Sequence, residues 1–241
     1  MHMTDVLLVA GLSVLAGAIT TVAGMGGGML LLLALAAWWD PAMALAVTAP
    51  ALLLGNAHRA FLFRREVQWP TALRFAGAAV PGAIIGGALA VSFPGWLIQG
   101  LMVVMTLLAL AKGVGWIKVK PPQAALVPTG GVVGVLTGAS GGAGILMAPV
   151  LLATGLVRDA YVGTVAVCAA MMHAGRIISY GAGGLITADT LLYAGLAAAG
   201  ILGGNFVGRY LRRFTLSWPA GLIEHVTLAS CVVVALLGIK P

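Results

Sequence analysis

Apolar residues follow one another in ten blocks that are separated by short polar or glycine-containing stretches. In the first half of the chain the blocks cover residues 4–23, 29–39, 41–63, 70–91 and 96–115. In the second half they cover residues 124–138, 144–155, 160–180, 187–208 and 219–239. Most blocks have about 20 residues, which is the length of a helix that crosses the hydrocarbon core of a bilayer. The pattern predicts an all-α polytopic membrane protein.

The composition supports this interpretation, because 61% of the residues are hydrophobic and only 8% are charged. A soluble domain carries about 25% charged residues, so a soluble protein is excluded. The net charge of +7 does not indicate nucleic-acid binding, because the basic residues lie mostly at the ends of apolar blocks. The first residues lack the basic start of a signal peptide, so we expect the first block to be retained.

The two cysteines, Cys168 and Cys231, lie inside apolar blocks and have no CxxC spacing. We expect both to be small buried hydrophobic residues. The sequence predicts no metal site and no cofactor.

The chain repeats itself. The motif at 24–30 (Gly-Met-Gly-Gly-Gly-Met-Leu) returns 116 residues later at 140–146 (Ser-Gly-Gly-Ala-Gly-Ile-Leu). We divide the chain into repeat one at 1–117, a basic linker at 118–123 and repeat two at 124–241. A duplicated apolar unit with glycine-interrupted segments in corresponding positions is typical of a secondary transporter.

Lysine and arginine gather on the cytoplasmic side of a membrane protein, and their positions differ between the repeats. Five segments per repeat would turn the second repeat upside down, and eleven cations then share one face. Arg176 and Lys240 fall outside that face. The sequence therefore predicts an inverted repeat with both termini outside. The eleven are Arg59, Arg64, Arg65, Arg74, Lys112, Lys118, Lys120, Arg158, Arg209, Arg212 and Arg213.

Consecutive glycines destabilise a helix by roughly 1 kcal/mol each relative to alanine, so we expect the helix to break at both motifs. The following segment, of roughly 11 residues and about 16 Å, is a half-helix or one arm of a re-entrant hairpin. Exposed N–H groups at such a break form an anion site, although a plain kink is the alternative. The candidate ligands in the motifs are Gly26, Gly27, Gly28, Ser140, Gly141, Gly142 and Gly144.

Hydroxyl groups flank the motifs at Thr20, Thr21 and Thr137, and they either donate to the anion or bond back to their own helix. Other glycines have the spacing of close helix packing, namely Gly82 with Gly86, Gly204 with Gly208, and Gly195.

Polar side chains inside membrane segments are costly and therefore point to function. Asn56, His173 and Arg176 are further candidate substrate ligands, and His173 and Arg176 share a helix face. Arg59 lies near Arg64 and Arg65, so we interpret it as a cytoplasmic anchor. Asn205 is expected to form a hydrogen bond between helices.

The glycine motif, the Ala-Val-Thr at 46–48, the loop at 64–69 and the Pro-Gly stretch at 81–86 together resemble the sulfite exporter TauE/SafE family. The resemblance covers the whole chain, with Leu33 where proline is usual and Ser140 and Ala143 in place of glycines.

The resemblance implies a multi-pass transporter of the bacterial inner membrane that exports sulfur-containing anions such as sulfite, sulfoacetate or other organosulfonates. It leaves open whether a proton or a sodium ion drives transport, and whether the chain forms a homodimer.

Two other function classes are open. An intramembrane serine protease would use Ser140 as nucleophile, because residues 138–141 read Gly-Ala-Ser-Gly, with His173 or His225 as base. The first repeat has no hydroxyl at the corresponding place, which argues against it. A non-transporting membrane subunit is the third class, but the short loops offer no docking domain.

Overall fold

A computed structural model describes residues 2–116, 122–215 and 222–237, and these residues form helices and turns but no strand. Five helices lie in the first half: α1 Met3–Ala23, α2 Gly27–Trp38, α3 Pro41–Leu62, α4 Trp69–Ser92 and α5 Gly95–Gly113. Five lie in the second half: α6 Leu126–Ser140, α7 Met147–Leu152, α8 Arg158–Ala182, α9 Ala188–Thr215 and α10 Leu222–Leu237. Short 3-10 turns at Gln123–Ala125 and Ala143–Leu146 precede α6 and α7.

Each predicted segment corresponds to a helix, so the all-helical prediction is confirmed. The segment at 144–155 differs, because it is a 3-10 turn followed by the six residues of α7. Helix α9 continues to Thr215, seven residues past its predicted end. Its last turn contains Arg212 and Arg213 and is helical. Residues 118–121 of the linker, with Lys118 and Lys120, lie outside the described residues, as do Lys240 and both ends of the last predicted segment.

Within the described residues, five helices are long and apolar enough to cross a membrane: α1, α4, α5, α8 and α9. Large apolar side chains on their outer faces are more than half exposed, for example Leu7, Ile85 and Phe206. An apolar surface of this kind is unfavourable in water and suits lipid. The chain is therefore a multi-pass membrane protein.

The glycine motifs end the first helix of each half. Gly24 caps α1 with a φ of 85°, and Gly141 caps α6 with a φ of 72°. Both lie in the left-handed region, which a side chain would disfavour. The predicted helix breaks are thus confirmed at both motifs.

Helix α2 folds back along the N-terminal part of α1, from Ala16 to Asp5. The Trp38 indole donates to the Asp5 carboxylate over 2.9 Å, and at the other end of α2 a Cβ on Gly27 would overlap the Ala16 carbonyl. The same number of residues, eleven, separates Asp5 from Ala16 and Gly27 from Trp38. At 1.5 Å per residue this distance is about 16 Å. The start of α2 therefore lies beside the middle of α1.

Glycines let two pairs of helices approach closely, α4 with α6 and α1 with α9. A Cβ on Gly82 or Gly86 would meet the backbone of α6, and a Cβ on Gly204 or Gly208 would meet that of α1. The packing prediction is confirmed for these four glycines. It is wrong for Gly195, where a Cβ would have no heavy atom within 4 Å.

Asn205 joins three helices, as predicted for a helix–helix hydrogen bond. Its amide donates to the Gly55 carbonyl of α3 over 2.9 Å, and its Oδ1 accepts from the Thr21 hydroxyl of α1 over 2.9 Å. Both predicted buried cysteines are indeed fully buried.

Equivalent helices α3 and α8 run in opposite directions. Near the start of α8, a Cβ on Gly163 would lie 3.1 Å from the Phe63 carbonyl oxygen at the end of α3. Further along α8, Arg176 donates to the Leu45 carbonyl near the start of α3. An inverted repeat predicts this relation. The orientation of the chain across the membrane stays a prediction.

We expect Gly204→Ala to lower stability by about 1–3 kcal/mol, because the new methyl group would overlap the α1 backbone. Gly195→Ala, on the same helix, is the matched control and should be neutral or stabilising by up to about 1 kcal/mol. Thermal unfolding of both variants in detergent, followed by tryptophan fluorescence, measures the difference. Equal melting temperatures would contradict the close α1–α9 packing.

Candidate functional site

A cavity of about 80 Å³ lies where both glycine turns meet α3 and α8. It brings together many of the residues predicted from the sequence, and it adds Gly24 and Arg59. The predicted residues in its wall are Thr20, Gly26, Gly28, Asn56, Thr137, Gly141, Gly142, Gly144 and His173. The predicted residues Thr21, Gly27, Ser140 and Arg176 do not line it.

The start of α2 supplies backbone donors to this cavity. Gly26, the N-cap residue, has a φ of 94°, and no side chain caps the helix. The first N–H groups of a helix have no partner within it, and they carry part of the positive end of the helix dipole. Gly26 and Gly28 face the cavity, whereas Gly27 packs against Ala16 and Thr20 of α1. In the second half Gly142 and Gly144 line the wall, but here a 3-10 turn at Ala143–Leu146, which includes Gly144, precedes the short helix α7.

Arg59 is the one guanidinium in the wall formed by the described residues. Its side chain is only 2% exposed. It donates to the Asn56 amide oxygen over 2.7 Å and to the Thr20 carbonyl over 3.2 Å. Its Nε has no hydrogen-bond partner among the residues described. The interpretation of Arg59 as a cytoplasmic anchor is therefore wrong, because the side chain turns inward to the end of α1.

The four flanking hydroxyls have different partners. Thr20 bonds back to the Ala16 carbonyl over 2.6 Å, and Ser140 to the Leu136 carbonyl over 2.8 Å. Thr21 donates to Asn205 instead. Thr137 is buried in the cavity wall, and in the described part of the chain its hydroxyl has no partner. Only Thr137 thus has a free hydroxyl for a ligand.

The hydrogen bond between His173 and Arg176 assigns the imidazole tautomer. Arg176 Nη1 lies 2.9 Å from His173 Nδ1. A guanidinium can only donate, so Nδ1 accepts and the hydrogen of the neutral ring is on Nε2. His173 lines the cavity, and it therefore contributes an N–H donor to the wall.

Arg176 is completely buried one layer behind the wall. Besides His173, its guanidinium contacts the Tyr180 hydroxyl at 3.3 Å and the Leu45 carbonyl at 3.3 Å. Its Nη2 would lie 3.0 Å from a Cβ on Gly141, which separates it from the cavity. The role of Arg176 as a substrate ligand stays a prediction.

The two halves contribute equivalent residues at a spacing of 117. In each half an arginine bonds to the polar residue three positions earlier, one turn back on the same helix face. The equivalent pairs are Thr20 with Thr137, Gly24 with Gly141, Asn56 with His173 and Arg59 with Arg176. Both copies contribute to the cavity wall, but of the two arginines only Arg59 lines it.

The chemistry of the wall favours an anion. It contains one guanidinium, a helix start and neutral donors, and no carboxylate from the described residues lines it. The contacts of Ser140 and His173 also argue against a serine protease that pairs these two residues. The Ser140 hydroxyl donates to a backbone carbonyl and the His173 Nδ1 accepts from Arg176, so these two side chains do not form a nucleophile–base pair.

Comparison with known proteins identifies the family. The family model described as Sulfite exporter TauE/SafE matches residues 9–239, which is nearly the whole chain. No curated protein and no solved structure matches. The chain belongs to the sulfite exporter TauE/SafE family, whose members are membrane transporters of sulfite and related sulfur anions and are not enzymes.

Proposed function

We propose that the protein is a secondary transporter of the bacterial inner membrane that exports a small sulfur oxyanion, with sulfite as the best candidate. One observation carries this proposal. Two buried donors in the cavity wall, Arg59 Nε and the Thr137 hydroxyl, have no partner among the described residues.

Both donors would be costly without a ligand. A buried donor without a partner costs about 1–3 kcal/mol, and a charged one costs more. An oxyanion offers several acceptor oxygens, so one ligand could satisfy Arg59 and Thr137 together and also accept from His173. No carboxylate from the described residues lines the wall, so none of them competes with a ligand for these donors.

The size of the cavity favours a small anion. A water molecule needs about 10–15 Å³ of cavity volume. The cavity of about 80 Å³ therefore accommodates roughly five to eight non-hydrogen atoms of that size. Sulfite fits with room to spare, and sulfoacetate would fill the cavity. An aromatic sulfonate would be too large for this conformation.

The location of the site supports transport by alternating access. The start of α2 lies about 16 Å along α1, which is half of a hydrocarbon core of about 30 Å. Equivalent helices that run in opposite directions can exchange conformations, and such an exchange opens a midplane site to either side. On this model Arg59 faces the anion in the present state, and Arg176 takes its place in the opposite state.

The decisive experiment is uptake of labelled sulfite into proteoliposomes, together with calorimetric binding to the purified protein. We expect Arg59→Ala to weaken sulfite binding by about one to two powers of ten, since a charge-assisted hydrogen bond contributes roughly 1.5–3 kcal/mol. Arg59→Lys should recover only part of this, because the planar fork is lost. Arg74→Ala, an exposed position outside the cavity, is the control.

Arg176→Ala separates two models in the same assays. If the arginines exchange roles, this variant transports at least about tenfold more slowly, while the resting binding affinity changes less than in Arg59→Ala. Equal losses of affinity in the two variants would instead make Arg176 a direct ligand of the present state. Normal binding by Arg59→Ala would contradict the proposed site.

Glycines in and beside the wall give a second prediction. A Cβ on Gly142 would lie 3.2 Å from the flexible end of Met29, so Gly142→Val should fold, narrow the cavity and reduce sulfite uptake at least about tenfold. Gly27→Val is different, because its side chain would overlap the α1 backbone and should lower the amount of folded protein.

Size-exclusion chromatography of both glycine variants reports folding, and sulfite uptake reports function. A well-folded Gly142→Val protein with normal uptake would show that the anion does not pass through this cavity.

A further inference from the structure

A second, larger cavity of about 830 Å³ opens at the end of the molecule where α3 and α9 end and α8 begins. We call it the basic vestibule, because six arginines line it: Arg64, Arg65, Arg158, Arg209, Arg212 and Arg213. Only two carboxylates, Glu66 and Asp159, accompany them.

The positive charge of the vestibule is poorly compensated. Arg212 forms an ion pair of 2.7 Å with Asp159. Within the described residues, Arg65, Arg158 and Arg209 have no such partner. A recess lined by charge of one sign concentrates ions of the opposite sign, and it can raise association rates by about 10–10³-fold at low salt. The vestibule therefore favours small anions.

The end of α1 binds one arginine of the vestibule and one arginine of the central cavity. Arg212 reaches in from the vestibule and donates to the Thr21 and Val22 carbonyls over 3.2 and 3.3 Å. Arg59, in the wall of the central cavity, donates to the adjacent Thr20 carbonyl over 3.2 Å. Less than one turn of helix separates the two guanidiniums along α1. The last carbonyls of a helix carry partial negative charge and hold cations in this way.

Asp159 stands where an anionic ligand could bind. A carboxylate and a sulfur oxyanion accept hydrogen bonds from a guanidinium in the same way. The Asp159 side chain is 52% exposed, whereas that of Arg212 is 14% exposed. The carboxylate can therefore swing into solvent while Arg212 stays at the end of α1.

We propose that the basic vestibule is a second anion site, in which a small sulfur oxyanion replaces Asp159 on Arg212 before it moves to Arg59. The inference rests on the proposed function and extends it, since it assigns the arginine cluster to the transport path. The positive-inside rule accounts for arginines on one face, but it does not require six of them to line one recess.

The test is the initial rate of labelled sulfite uptake into proteoliposomes, measured against sulfite concentration at low and high salt. We expect Arg209→Gln to raise KM about three- to tenfold at low salt and to weaken the salt dependence of uptake. Asp159→Asn removes the competing carboxylate and should lower KM. Arg74→Gln removes an exposed charge that does not line the vestibule and is the matched control.

Calorimetry supplies the second readout. Sulfite affinity at the central cavity should stay within about twofold of wild type in Arg209→Gln, because Arg59 and Thr137 are unchanged. The inference is overturned if wild-type protein transports sulfite but Arg209→Gln and Asp159→Asn behave like Arg74→Gln. If wild-type protein neither binds nor transports sulfite, the proposed function itself fails.

Vesicle composition distinguishes a free anion from the headgroup of an anionic lipid, which also presents an oxyanion and carries a net negative charge. The KM shift should appear in vesicles of phosphatidylcholine alone. A shift that requires added phosphatidylglycerol would assign the vestibule to an anionic lipid and would overturn the inference.

Discussion

A helix that ends in the buried interior of a membrane protein, away from water, leaves backbone N–H and C=O groups without partners, each at a cost of several kcal/mol. This chain ends two helices in that way, at Gly24 and Gly141. Other features of the site supply partners for these backbone groups. Arg59 and Arg212 cap the carbonyls at the end of α1, and the start of α2 turns its donors toward a small cavity. The proposed binding site is thus the place where the broken backbone meets its compensating charges.

Close packing keeps these breaks in place. The glycine-lined contacts of α1 with α9 and of α4 with α6 bring each interrupted helix against a continuous one. Without a hydrophobic driving force between helices in lipid, such contacts rest on dispersion and on hydrogen bonds such as those of Asn205. Each of these helix pairs joins one repeat to the other. A movement of one repeat relative to the other must therefore change the packing within both pairs.

The two halves differ in one respect that matters for function. The Nε of Arg59 lies beside the cavity without a partner among the described residues, whereas Arg176, its equivalent, is held by His173, Tyr180 and Leu45. The same residues in the same register therefore occupy two environments. The proposed alternating access accounts for this asymmetry, because one state of a transporter whose repeats exchange conformations is asymmetric.

The sequence predicted much of this architecture, because apolar block length and glycine runs directly determine helices and breaks. It could not predict which way a side chain turns. Arg59 lies close to Arg64 and Arg65 along the chain, but only the packing of α3 on α1 reveals its inward position. The two glycine motifs align at a spacing of 116 residues, whereas the glycines that cap α1 and α6 are 117 residues apart. Because the motif alignment is off by one residue, it does not reveal that Arg59 and Arg176 are equivalent. Gly27 and Gly28 are adjacent, and only the rotation of α2 decides which one faces the cavity.

The central claim is that a sulfur oxyanion binds between the two glycine turns. Selenite has the shape and charge of sulfite, and selenium gives an anomalous diffraction signal, so crystals grown with selenite would locate the anion directly. The account predicts an anomalous peak within hydrogen-bond distance of the Arg59 guanidinium and the Thr137 hydroxyl. A crystal in which selenite occupies other sites and leaves this cavity without a peak would contradict it.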